Sequence, residues 1–343
     1  MKTDMMRCAV VGLSGYTGRE VFSLLLNHSG VRVNYVAAQN TVGPVSSIWP
    51  EFLNRTTLVC QQFNIKEVTK NSDIVFLALP HTESMKVAGA LLKAGLKVID
   101  LSADYRLKST KTYQAWYGHK HVDPKNISKA VYGLPELFRQ KIKKANFIAN
   151  PGCYPTAAIL GLAPLIATRS KSITSIIIDA KSGVSGAGRK ASVNLLFSEL
   201  TDNFKAYKVL CHQHAPEIDQ YISSLAGHDL KVNFVAHLLP IERGILETIY
   251  VQSKLPITLS QLHVLYSKFY KTESFVRVHP LGSQPEIKNV AYTNFCDIGL
   301  AVSQDKKTIV ITSAIDNLVK GAAGQAVQNM NIMCGFNEIE GLI

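Results

Sequence analysis

The sequence predicts an α/β protein in two parts: a Rossmann-type domain with a parallel sheet, and an α+β domain with a mixed or antiparallel sheet. Three observations carry this expectation. Over the first 150 residues short apolar runs alternate with amphipathic stretches. A glycine-rich turn joins the first run to the first amphipathic stretch, and after residue 153 strand-like runs follow one another with fewer helices between them.

In chain order, Arg7–Val11, Val31–Ala38, Asp73–Leu79, Lys97–Leu101 and Asn146–Ala149 read as strands. Between them, the stretches near Gly15–Asn27 and Thr82–Ala94 show helical spacing. Strand and helix in alternation are the mark of βαβ units, whose crossovers make a parallel, doubly wound sheet. In the second half Ser175–Lys181, Lys231–Leu239, Leu246–Gln252 and Lys307–Ser313 are strand-like. Strands that succeed each other so directly favour antiparallel pairing. Asp316–Met333 is expected to be one long helix rich in small residues.

Bulk properties narrow the function classes. With 343 residues, 47% hydrophobic and 18% charged, the chain can bury two cores and is not expected to be disordered. A formal charge of +12 suits anionic ligands. Lys and Arg are nevertheless spread along the chain, with no basic helix interleaved with aromatics, so no nucleic-acid partner is expected. No run approaches the roughly 20 apolar residues that span a bilayer, and the start has no long apolar leader. A cytoplasmic protein without a membrane partner is therefore expected. The six cysteines lack metal-ligand spacing, so neither a metal nor a disulfide framework is expected.

The run Arg7–Val11 leads straight into Gly12-Leu13-Ser14-Gly15-Tyr16-Thr17-Gly18 and then into a helical stretch. Glycines there permit a tight turn and let backbone N–H groups approach a pyrophosphate at a positive helix N-terminus. A plain structural turn is the alternative; its place between first strand and first helix favours a dinucleotide. The second strand ends in Ala37-Ala38-Gln39-Asn40-Thr41 without the acid that NAD-specific sites place there. A carboxylate would repel a 2′-phosphate, so its absence permits NADP. Gln39, Asn40 and Thr41 could donate neutral hydrogen bonds, with Arg19 a distant aid.

Asn150-Pro151-Gly152-Cys153-Tyr154-Pro155-Thr156 closes the first half and is followed by an apolar helical run. Cys153 is thus expected on a helix N-terminus, where unpaired N–H groups and the macrodipole favour thiolate. The other five cysteines read as buried structural residues. A thiolate needs a proton partner. His212-Gln213-His214-Ala215-Pro216-Glu217-Ile218 offers two histidines before a Pro-initiated helix. In extended chain they would point oppositely, so one would serve chemistry and the other structure, with the choice open and His81 next in line.

These residues resemble the N-acetyl-gamma-glutamyl-phosphate reductase family of arginine biosynthesis. The resemblance runs through the Gly12–Gly18 turn, Leu79-Pro80-His81, Leu101–Arg106, Tyr132–Glu136, Asn150–Thr156, Ser182–Arg189, His212–Ile218, Pro240–Gly244 and Asp316–Asn331, in one shared order. It implies a Rossmann domain of residues 1–152 completed by the C-terminal helix, residues 316–343, and a catalytic and oligomerisation domain of residues 153–315. A homodimer or homotetramer, NADPH, and N-acetyl-glutamyl phosphate as the small-molecule substrate are implied with it. Cys153 would displace phosphate to give a thioester, and hydride would then lead to the semialdehyde. His212 or His214 would move the protons. The loop residues Gly12, Ser14, Gly15, Tyr16, Thr17 and Gly18, with Gln39, Asn40, Pro80, Ser182, Gly183, Gly186 and Asn317, would meet the cofactor. Arg106, Asn150, Ser182 and Arg189 would meet the substrate, the arginines because guanidinium holds phosphate or carboxylate bidentately.

The chain departs from relatives where they carry a Ser-Arg pair after the second strand, which makes a weaker coenzyme preference the expectation. Two rivals share features: a semialdehyde dehydrogenase acting on aspartyl or aminoadipyl phosphate, and a nucleotide-sensing Rossmann protein without catalysis.

Overall fold

Apolar runs become parallel strands where both faces are covered, and Cys8–Val11 and Ile74–Leu77 are buried at every position. The computed structural model describes residues 5–343. They divide into one unit running up to Pro151 together with Ala322–Ile343, and another, Gly152–Gly321.

The first unit contains β1 (Met6–Val11), α1 (Tyr16–Leu26), β2 (Val31–Ala38), β3 (Gly43–Pro44), β4 (Val59–Gln62), β5 (Ile74–Leu77), α2 (Ser84–Lys93), β6 (Lys97–Asp100), β7 (Val131–Tyr132) and β8 (Phe147–Ala149). Its sheet runs β3-β4-β2-β1-β5-β6-β8-β7. Every pair is parallel except β3 with β4. On one face Val10, Phe22, Phe76, Val327 and Met330 share a core, so α1 and the C-terminal segment lie there. On the other, Val11, Leu77, Met85, Leu91 and Phe147 do so, bringing in α2. The expected strand Asp73–Leu79 is trimmed at both ends to β5; Ala78 N–H still donates to Val11 O at 2.8 Å, and the chain then runs through Leu79 and Pro80 as a loop.

The second unit contains α3 (Cys153–Arg169), β9 (Ile173–Ser182), β10 (Lys205–Tyr207), α4 (Ala215–Ala226), β11 (Asn233–Leu238), β12 (Ile245–Ser253), α5 (Leu259–Phe269), β13 (Val276–Val278), β14 (Cys296–Val302) and β15 (Thr308–Ile315). Its sheet runs β10-β11-β9-β12-β15-β14-β13 and is mixed: β11 with β9 and β13 with β14 are parallel, the other pairs antiparallel. From Tyr154 to Ile166 α3 is buried on all sides, as a helix apolar all round must be. Pro164 within it has no N–H to give the carbonyl of Leu160, and the Tyr270 hydroxyl donates to that carbonyl instead.

The tail is not the single helix expected. Asp316 Oδ1 accepts the N–H groups of Leu318 and Val319 at 2.7 and 3.0 Å, a π-helical turn covers Val319–Ala323, and only then does α6 (Gly324–Cys334) begin. The units divide at Ala322, so residues 316–321 lie with the second unit rather than the first. Asp316 explains this, since its other oxygen accepts Tyr292 N–H at 2.7 Å.

Candidate active site

In the first unit the turn after β1 is built for close approach. Gly12 adopts φ +103°, and a Cβ there would overlap the Ala78 carbonyl, while one on Gly18 would overlap the Gly12 carbonyl. Gly12 and Leu13 donate to Ala37 O, and Trp49 Nε1 donates to Leu13 O, which fixes the turn. α1 starts with Gly15 at its cap, no capping side chain and no acid in its first turn. Ser14, Gly15, Tyr16 and Thr17 are half-buried around that positive end. Gln39, Asn40 and Pro80 are exposed just beyond β2 and β5. An anionic dinucleotide fits this cradle, which opposes no carboxylate to it at the end of β2. Arg19 is paired with Glu51 and lies over the Trp49 ring.

Arg106 and Asn150 lie deeper than the sequence led us to expect. Arg106 is buried, and its Nε and Nη2 donate to the carbonyls of Asn150 and Leu101, both at 2.7 Å. It therefore ties together the ends of β8 and β6. Asn150 is fully buried; its amide donates to Ala322 O and accepts from Asn329. Beside them Asp100, sealed in and facing the Asp104 charge, is pushed up to about 7, burial being the larger cause. His81 accepts the Ala103 N–H and its ring meets Tyr117.

In the second unit Cys153 is half-buried in the first turn of α3, capped by Gly152 with no side-chain hydrogen bond and no acid in that turn. The N–H groups there favour an anion. None of the six cysteines is in a disulfide. Cys8, Cys60 and Cys296 are buried as expected, but Cys211 is exposed and Cys334 only half-buried. Cys211 lies in the turn before α4, where the chain runs over the surface.

The two histidines do not point oppositely. Their ring centroids are 4.9 Å apart, because the chain at His214 is helical (φ −81°, ψ −17°) and folds its N–H back onto His212 Nδ1 at 3.1 Å. His212 is buried among Tyr154, Tyr207 and Phe234, and burial, helped by Lys208, lowers its imidazole to about 4. His214 is less enclosed and also meets Tyr154.

Ser182 and Gly183 are buried at the end of β9, whereas Gly186 and Arg189 are exposed. Gly183, Val184 and Ser185 donate to backbone carbonyls of Gly244, Ile241 and Glu242, which joins this loop to the Pro240–Gly244 turn. Asn317 is buried behind it, accepting from Gly244 N–H and donating to Ser185 Oγ. The second unit thus gathers Cys153, His212, His214, Ser182 and Asn317; the glycine turn, Arg106 and Asn150 belong to the first.

Three residues escaped the sequence reading. Glu217 is buried and accepts the Gly152 N–H at 2.9 Å, so it holds the cap of α3. It is the third residue of α4, where an acid usually caps its own helix, and that position was the available signal. Tyr154 and Tyr207 join hydroxyls at 2.9 Å; burial raises both, with the charge of Cys153 contributing, Tyr207 to about 12. Nothing in their spacing announces that pair. Among the described residues no group of three or more His, Cys, Asp or Glu could hold a metal, and no helix is long and apolar enough to cross a membrane.

The chain matches the family models for the semialdehyde dehydrogenase NAD binding domain over residues 7–145 and the semialdehyde dehydrogenase dimerisation domain over residues 153–317. Among solved structures it is similar to aspartate semialdehyde dehydrogenase II from Vibrio cholerae, with TM-score 0.72 and 16% identity over 97% of this chain and 99% of that one. The aspartate semialdehyde dehydrogenase from Candida albicans, solved with NADP, gives TM-score 0.68 at 15% identity over 96% and 99%. At these identities the likeness is one of fold. Curated relatives are far nearer in sequence. The N-acetyl-gamma-glutamyl-phosphate reductase of Desulfotalea psychrophila is 50% identical over 98% of each chain, and that of Pelotomaculum thermopropionicum 47% identical over 98% of this chain and 97% of its own. With half its residues shared across almost the whole of both chains, this protein belongs to the N-acetyl-gamma-glutamyl-phosphate reductase family.

Proposed function

We propose that this protein reduces N-acetyl-gamma-glutamyl phosphate to N-acetylglutamate semialdehyde and phosphate with NADPH, through a thioester on Cys153. The observation that carries the reading is a half-buried cysteine in the first turn of α3, whose cap residue Gly152 brings no side chain to the free N–H groups, in the same unit as a packed histidine pair. The Cys153 thiolate forms a bond to the acyl carbon and phosphate leaves with its electron pair. NADPH, when bound, supplies hydride. His214 protonates the resulting oxyanion, then takes the proton back as the carbon–sulfur bond breaks and the thiolate is restored.

His212 acts as the structural partner, since its Nδ1 already accepts the His214 N–H. Gly12, Ser14, Gly15, Tyr16, Thr17 and Gly18 would hold the pyrophosphate, and Gln39 and Asn40 the 2′-phosphate end. Pro80, Ser182, Gly183 and Gly186 would border the cofactor, with Asn317 as support. Arg189 would anchor a substrate anion; Arg106 and Asn150 would hold the strand ends from behind. The rival specificity for aspartyl phosphate is disfavoured by identities of 47–50% to the acetylglutamyl enzymes, against 16% to an aspartyl one. The working form is a homodimer or homotetramer in the cytoplasm, where a reactive thiol stays reduced.

The test is phosphate-dependent reduction of NADP by N-acetylglutamate semialdehyde, with aspartate semialdehyde as comparison. Cys153→Ser should remove nearly all turnover and leave NADPH binding intact, because a hydroxyl is far less ionised at neutral pH. Substantial activity in that variant would overturn the mechanism, and faster turnover of aspartate semialdehyde would overturn the substrate.

A further inference from the structure

We propose that Gly321 is a positioning residue for the Cys153 thiol, and that the π-helical turn carrying it serves to set a residue without a side chain against the first turn of α3. The proposal rests on Cys153 being the nucleophile. A Cβ on Gly321 would lie 2.8 Å from Cys153 Cβ, 3.2 Å from its Cα and 3.3 Å from the Asp316 carbonyl oxygen. None of these is the far end of a flexible side chain. One added methyl must therefore move the backbone of the cysteine or of the turn. Gly321 is not among the residues with positive φ, so its backbone does not itself demand glycine. The neighbouring cysteine does.

The turn is held from behind. Its π-helical register over Val319–Ala323 is the kind of local irregularity that clusters at functional sites. Gly321 N–H donates to Asp316 O at 2.9 Å. The fully buried Asp316 carboxylate accepts the N–H groups of Leu318, Val319 and Tyr292, and the Arg243 guanidinium stands 3.6 Å away. The wall beside Cys153 Cβ is thus rigid backbone. A wall so near Cβ restricts the staggered positions open to Sγ.

The experiment compares Gly321→Ala with Gly161→Ala, whose Cβ would press on Ile249 Cδ1 at 2.9 Å further along α3, away from the cysteine. Both are made in a Cys211→Ser background, which removes the exposed thiol. Steady-state kinetics, NADPH affinity, thermal midpoint and the pH profile of Cys153 alkylation by iodoacetamide are measured for each. Gly321→Ala should lower kcat about 100-fold, the usual cost of a misplaced reacting group. Its alkylation profile should shift, with NADPH affinity unchanged. Gly161→Ala, whose new methyl meets only the movable end of Ile249, should leave kcat and the alkylation profile in place. Asp316→Asn adds no bulk and loosens the turn, so it should shift the profile with a smaller loss of kcat, and it decides the matter if Gly321→Ala does not fold. An unchanged profile and kcat in the folded variant overturn the proposal while Cys153→Ser is inactive. Activity in Cys153→Ser overturns this proposal and the nucleophile assignment together.

Discussion

His212 and His214 stand two positions apart and differ in what decides proton transfer. A base whose conjugate acid lies near 4 is protonated only about one part in a thousand at pH 7, so His212 is a poor acid there. Its Nδ1 is also taken by a backbone N–H, which fixes the neutral tautomer as Nε2–H. His214→Asn should therefore lower kcat by about 10² to 10⁴, the range for general acid–base catalysis. His212→Asn should act mainly on stability, and through pH. The unfolded histidine binds its proton below about 6.5, the folded one only near 4, so His212 withdraws stability as pH falls between those values. Thermal midpoints at pH 7 and 5 should thus differ less in His212→Asn than in the parent. A folded but inactive His212→Asn beside an active His214→Asn would reverse the two roles. The pair was legible in the sequence as a motif, but its geometry was not. Extended-chain reasoning separates alternate side chains, and nothing in Gln213 shows that the chain turns helical one residue before Pro216 calls for it.

At the scale of elements, β12 carries an anomaly that a strand pattern cannot reveal. Glu247 is fully buried, and neither carboxyl oxygen has a hydrogen-bond partner among the described residues. Burial raises its carboxyl well above the ordinary range, with Lys181 opposing only in part. The folded chain keeps that proton while the unfolded chain loses it above about 4.3, so stability falls as pH rises. The slope is about 1.4 kcal/mol per pH unit per proton within the window. Glu247→Gln, of like shape and without charge, should flatten the fall of the thermal midpoint between pH 5 and 8. A parallel curve would show that Asp100 and Asp219, pushed up to about 7 and 6, carry the dependence instead. The strands that sequence reading found, such as β1 and β2, run six and eight residues and are mostly apolar and buried. β3 and β7 span two residues each and have no period to detect. The tail misled for a different reason. Its small residues and helical spacing hide an aspartate whose carboxylate accepts the N–H groups of Leu318 and Val319 and starts a π-helical turn before α6, and only tertiary partners such as Tyr292 show that.

On the scale of the whole molecule, the second unit matches a dimerisation domain, and its sheet leaves apolar surface open. Ile177 on β9 pairs with Tyr250 on β12, and both point to the side opposite the buried Ile176, Ile178, Ile249 and Val251; they are 43% and 39% exposed. Phe204, which leads into the edge strand β10, is more exposed still at 56%. Single exposed apolar residues need no explanation, but neighbours on adjacent strands of one sheet face form a patch that water solvates poorly. A second copy of the chain offers the same patch, and a two-fold axis would set the two sheet faces together, the self-complementary arrangement of cyclic dimers. Light scattering should therefore give two or four times 37.7 kDa at micromolar concentration. Tyr250→Lys places a charge at the centre of such a contact, where burying it unpaired costs several kcal/mol, and should shift the protein toward monomer. Ile177→Asp should do the same, while Val264→Lys on the exposed side of α5 should not. A monomeric parent, or an assembly indifferent to both sheet substitutions, would place the interface elsewhere. If the monomer that results still binds NADPH but turns over slowly, association also supports the histidine loop, since Tyr207 of the edge strand β10 packs on His212.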